Sequence, residues 1–149
     1  MAEIQTLFHH ILVPTDGSQL SVAAGRLAVQ LAALHQARIT FVYVVDATVA
    51  QKVAGASGEE ATQVQSELEL SGQRYLDYLC RLASEANLAS NQVLRHGVPF
   101  SEITDLAREQ GVDLIVIGQV GGGGPRRIII GSVTERVIEH APCPVLVVK

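Results

Sequence analysis

Four short runs, "HHILVP", "RITFVYVV", "DLIVIG" and "PVLVV", are almost unbroken strings of apolar, mostly branched residues. A strand with one wet face alternates apolar and polar side chains, whereas a strand that is apolar throughout must be covered on both faces. "NQVLRHG" is a fifth, weaker run of the same kind. The segments between them carry helical spacing: Val22, Leu27, Leu31 and Leu34, then Leu68, Tyr75, Leu76, Leu79 and Leu82. Ile103, Leu106 and Ala107 mark a third helix, and Val133, Val137 and Ile138 a fourth. Doubly covered strands that alternate with helices call for right-handed crossovers onto both faces of a parallel sheet. The expected fold is therefore α/β: one doubly wound, Rossmann-like, five-stranded parallel sheet with about four helices and strand order 3-2-1-4-5.

A chain of 149 residues, 48% apolar and 17% charged, has the material for one core, so residues 1–149 are expected to form a single domain. Ser18 in "DGSQLS" signals the start of the first helix, and Pro99 with Ser101 in "VPFSEI" that of the third. Gly97 and Gly111 punctuate the approaches to the third helix and the fourth strand. "DATVAQKVAGASGEEATQ", residues 46–63, shows no clear period and reads as an irregular excursion after the second strand, a lid or an insert.

Several classes of function are disfavoured. A net charge of −4 is wrong for gripping a long nucleic acid, which needs many clustered cations, although a small anion remains acceptable. Cys80 and Cys143 lie far apart without metal-finger spacing and read as free thiols of a reducing cytosol. The start "MAEIQTLFHH" lacks a signal-peptide pattern, and no apolar run approaches the roughly 20 residues that cross a bilayer, so a cytoplasmic protein without a membrane partner is expected. His9 and His10 have no ligand partner at metal spacing, Tyr75 and Tyr78 read as packing residues, and Cys143 has no neighbouring base to activate it.

In a doubly wound sheet, ligands bind where the strand order reverses, beyond the carboxyl ends of strands one and four. Those ends read "VPTDGS" and "IGQVGGGG", the most chemically distinctive in the chain. The second opens a spacing of Gly118, two residues, Gly121, nine residues, then Gly131 and Ser132. Glycines let backbone amides approach a bulky anion, and the helix after Gly131 presents unpaired N–H groups with about half a positive charge at its tip. Phosphate is the expected occupant. The loop is neither a Walker A loop, which needs a lysine after the last glycine, nor a dinucleotide fingerprint, which follows strand one.

With "GQVG", "GGGPRRIII" and "GS" in series, "ILVPTDGS" at the start, "YVVD" after strand two and "GSVTERVIEHAPCPVLVVK" at the end, the sequence resembles the ATP-binding subgroup of the universal stress proteins. The likeness spans nearly the whole chain and is weakest over residues 46–66. The resemblance implies that Pro14, Thr15 and Asp16 border adenine and ribose, and that the backbone of Val44 contacts the base. It further implies that Ile117 and Gly118 lie near the nucleoside, and that Gly121, Gly131, Ser132 and Val133 hold phosphates. Val120 departs from the polar or basic residue usual before the second motif glycine, and four glycines follow it. Ordering such backbone on binding costs entropy.

Simpler roles stand beside these. Ser132 and Glu135 match the S-x-x-E capping box, Asp16 can brace the turn with Gly17, and Gly122 to Gly124 can be slack linker. Arg126 and Arg127 either touch phosphate or are simply solvated. The leading functional expectation is a stress-response or signalling protein that binds ATP with Mg²⁺ and acts as a nucleotide-dependent switch or partner-binding dimer. An enzyme would need a positioned base, for which Asp16 and secondarily Asp46 are the candidates, so at most slow ATP hydrolysis or phosphotransfer is expected. The third reading is a dimer that works without nucleotide. Under each, the apolar edge strand "PVLVVK" is expected to pair with a second copy.

Overall fold

The computed structural model describes residues 6–119 and 130–149. Strand β1 (His10–Pro14) leads to helix α1 (Gln19–His35), then β2 (Arg38–Val45), α2 (Ala47–Ser57) and α3 (Ala61–Glu85). After these come β3 (Ser90–His96), α4 (Pro99–Glu109), β4 (Leu114–Gly118), α5 (Ser132–His140) and β5 (Val145–Val148). The five strands are parallel in the order β3-β2-β1-β4-β5, as the alternation of strands and helices requires.

The two faces of the sheet sort the side chains by parity. Ile11, Val13, Phe41 and Val116 point to one face and pack with Ala24 and Ala28 of α1 and Leu76 and Leu79 of α3. Leu12, Val42, Ile115 and Ile117 point to the other and meet Ile103 and Leu106 of α4 and Val137 of α5. Each fully buried Leu or Ile is worth roughly 1.5–3 kcal/mol of transfer free energy, so these two layers dominate stability. Helix α3 comes so close to the sheet that a methyl at Gly72 would overlap the ring of Tyr43.

Residues 46–63, expected as an irregular excursion, instead form α2 and the start of α3, giving five helices among the described residues where about four were expected. Asp46 caps α2 by accepting from Thr48 N at 2.9 Å, and Gly58 ends it at φ +76°. The buried stripe is Ala50 and Ala54 against Val64 of α3. Alanine at a spacing of four is a strong helix former but a faint hydrophobic signal, which is why periodicity in larger side chains passes over it. The helix starts behave otherwise as expected at Ser18, whose hydroxyl accepts from Ser21 N, and at Pro99, the first residue of α4.

At the opposite end of the sheet from the predicted crevice, β1 is stapled to β4 by one carboxylate. Asp113 accepts from His9 N at 2.8 Å and from His10 N at 3.1 Å. His10 is itself buried. Its Nδ1 lies 3.3 Å from the Gln110 carbonyl and its Nε2 2.8 Å from Thr40 Oγ1. Burial holds the imidazole below its ordinary 6.5, with Arg38 pushing the same way and the Gln110 carbonyl and Asp113 opposing. Protons therefore favour the unfolded chain. Stability is expected to be complete above about pH 6.5 and to fall as pH drops toward the lower folded-state pKa. Urea melts across this range should show that slope in the wild type and a shallower one in His10→Gln; equal slopes would assign the effect elsewhere.

Candidate nucleotide-type crevice at the strand reversal

The crevice begins with a missing hydrogen-bond donor. Thr15 N donates to Val42 O at 2.8 Å, and His9 O accepts from Arg38 N at 2.9 Å, so the odd-numbered residues of β1 turn their backbone groups to β2. Pro14, out of phase with them, faces β4 and has no N–H to give. Accordingly β1 stays paired with β2 as far as Pro14↔Val42, whereas its pairing with β4 covers only Ile11↔Leu114 and Leu12↔Ile115. The two strands part there.

On the β1 side, a tight turn is built from its own side chains. Asp16 is exposed and its Oδ1 accepts from Ser18 N at 2.9 Å, so the turn-bracing role is realised. Thr15 is buried, its hydroxyl accepting from Gly17 N at 3.3 Å and lying 3.1 Å from Ser21 Oγ. Gly17 sits at φ +81° directly over the ring of Tyr75, leaving no room for a side chain. Tyr75 in turn leans on Tyr43, with ring centroids 6.1 Å apart. Burial raises the Tyr43 phenol above its usual range, helped by Tyr75 and by the charge of Asp16.

Strand β2 outruns β1. Since Val42 O bonds Thr15, Val44 two residues later turns its N–H and C=O to the same side, past the point where β1 has left the sheet. Val44 thus carries a backbone donor and acceptor on an edge that β1 does not cover. Its side chain packs half-buried against the core on the α4 face. Asp46 follows at the same end but serves as the cap of α2.

On the β4 side, Ile117 is buried in the core and Gly118 lies against the first turn of α1, where an added Cβ would come within 3.1 Å of the Leu20 backbone carbon. This close approach brings the β4 end and the β1 turn together. Gln119 continues the ladder, donating its N–H to Val148 O, while its carbonyl accepts from Gly131 N, both at 2.8 Å. Gly131 is the N-cap of α5 and makes no side-chain cap; Ser132 is the first helical residue and is exposed. The capping box expected of Ser132 and Glu135 is therefore not formed, because the helix begins one residue earlier than that pattern needs. Gly131's own amide is already bonded, so the donors that helix geometry leaves over at this tip belong to Ser132, Val133 and Thr134. Gly121, Arg126 and Arg127, with Val120 and the glycines 122–124, lie outside the described residues.

Sequence reasoning missed Thr134. Its buried hydroxyl donates to Gly118 O at 2.7 Å and docks α5 onto the end of β4. The available signal was a β-branched hydroxyl in a first helical turn, where an exposed position would not favour it. Among the described residues no three His, Cys, Asp or Glu side chains come together as a metal site.

A doubly wound domain whose sheet parts under a helix tip belongs to the class that receives ligands at the strand reversal. A profile described as the universal stress protein family matches residues 7–149, and this chain belongs to that family. It is 38% identical over 146 residues to universal stress protein MJ0531 of Methanocaldococcus jannaschii, covering 97% of this chain and 84% of the relative. The solved structure of MJ0577 from the same organism superposes with a TM-score of 0.83 at 26% identity, over 96% of each chain. The universal stress protein of Archaeoglobus fulgidus, solved in complex with dAMP, shares the fold with a TM-score of 0.71 at 22% identity, over 96% of this chain and 99% of that one.

Gly118→Ala tests the contact between the two sides. The new methyl meets backbone and Cβ of Leu20 rather than a side chain that can swing away, so a loss of about 1–3 kcal/mol is expected in urea unfolding. An unchanged midpoint would mean that α1 and β4 are free to separate.

Proposed function

We propose that this protein binds an adenine nucleotide, ATP with Mg²⁺, in the crevice between β1 and β4, and that it serves stress-response signalling as a nucleotide-dependent switch or partner-binding dimer. The observation that carries this reading is the convergence at one parting of the sheet of the α5 tip, the Asp16 turn and the β2 edge at Val44. The helix tip offers amides and partial positive charge to phosphates, and Val44 offers a donor and an acceptor to a base. The A. fulgidus protein holds dAMP on the same fold. Mg²⁺ needs one or two carboxylates beyond the phosphate oxygens, and the exposed Asp16 carboxylate suits it. Within this reading Pro14, Thr15, Ile117 and Gly118 shape the pocket, while Ser132 and Val133 meet phosphate with Gly121; Arg126 and Arg127 are the nearest basic residues in sequence.

Asp16 and Asp46 both accept from amides two residues on, an arrangement that favours binding over proton transfer. The dimer component of the proposal rests on β5, which ends the sheet with Leu146 38% exposed. A second copy pairing antiparallel along that edge would cover it.

Calorimetric titration should show saturable binding of ATP, with Asp16→Ala weakening it about tenfold or more while circular dichroism stays native, in line with loss of a charge-assisted contact. No heat with ATP, ADP or AMP would overturn the proposal. Multi-angle light scattering at micromolar concentration should report a dimer, and Leu146→Lys should shift it to monomer; a wild-type monomer would remove the edge-pairing component.

A further inference from the structure

We propose that Thr134 is a positioning residue that makes the crevice floor tolerant of phosphate, an inference that rests on the nucleotide-binding reading above. Ile115 N donates to the carbonyl of Pro144, just before β5, and Gln119 N to Val148 O within it, so the odd-numbered residues of β4 turn their backbone groups to β5. Gly118 is out of phase and turns its carbonyl the other way, toward β1, at the level where β1 has left the sheet. A strand end pointing into a ligand crevice thus carries a partial negative charge on the floor of a site meant for anions. β1 ends at Pro14, so no residue of that strand reaches the level of this carbonyl to neutralise it.

The Thr134 hydroxyl neutralises it instead, donating to Gly118 O at 2.7 Å from a buried position in the first turn of α5. The next carbonyl, Gln119 O, is taken by Gly131 N at 2.8 Å. Two successive strand-end carbonyls are therefore consumed by the same helix start that directs its remaining amides outward. The hydroxyl acts through Gly118: it removes a repulsive oxygen lone pair from the anion's surroundings and fixes the height of the helix tip above the floor. Valine has the same shape without the donor, and serine keeps the donor without the second branch.

The test is calorimetric titration of wild type, Thr134→Val and Thr134→Ser with adenosine, AMP and ATP, with thermal melts confirming folded protein. Thr134→Val is expected to weaken ATP about tenfold, AMP less, and uncharged adenosine by under about threefold, since the unmasked carbonyl repels charge. Thr134→Ser is expected to restore ATP affinity to within about threefold of wild type. A Thr134→Val variant that binds ATP as tightly as wild type, or that loses adenosine and ATP equally, overturns the inference while leaving the nucleotide reading intact. Wild-type protein that binds none of the three overturns both. Should Thr134→Val fail to fold, a Thr134→Ser variant with native melting and unrestored ATP affinity is enough to overturn it.

Discussion

The absence of one N–H, at Pro14, organises this molecule. Elsewhere the sheet is closed by continuous ladders, β2 with β3 over seven residue pairs and β4 with β5 over four. Between β1 and β4 the ladder stops after two pairs, and the position that would continue it is occupied by the one residue type that cannot donate. Reversal of the winding direction already sends the loops after β1 and β4 to opposite faces. Proline at that point ensures that the strands part early enough to leave backbone groups of β2 and β4 facing the gap, where they must be satisfied by something other than β1.

Helix α5 satisfies the groups on the β4 side. Gln119 and Gly131, which flank the glycine-rich stretch, are hydrogen-bonded to each other, and Thr134 ties the same helix to Gly118. The two ends of the intervening segment are thus held together by the backbone of Gln119 and Gly131.

Much of this was legible in the sequence. Unbroken apolar strands carried the layers and the strand order, and the first of the spaced glycines, Gly118, ends β4 beyond the point where it parts from β1. What escaped was of two kinds. Helix α2 hides because its buried stripe is Ala50 and Ala54, whose small side chains carry little periodic signal while their high intrinsic helix preference carries none that is visible as spacing. The Thr134 and Asp113 contacts escape because each joins residues distant in the chain, 16 positions apart for Thr134 to Gly118 and 104 for His9 to Asp113. Local pattern has no access to such pairs until the sheet order is combined with the direction in which each backbone group points.

The capping box shows the same limit at shorter range. Serine followed three residues later by glutamate fits a helix that begins after Ser132, and the helix begins at Ser132. The shift follows from Gly131, whose N–H is committed to Gln119 and whose extended backbone, at φ −67° and ψ 153°, makes it the cap. A tertiary hydrogen bond to the end of β4 thereby overrides a local side-chain preference worth about 1 kcal/mol. The consequence reaches the site: a serine used as cap would fold its hydroxyl back over the first-turn amides, whereas Ser132 as first helical residue is exposed at the tip, beside the donors a phosphate would use.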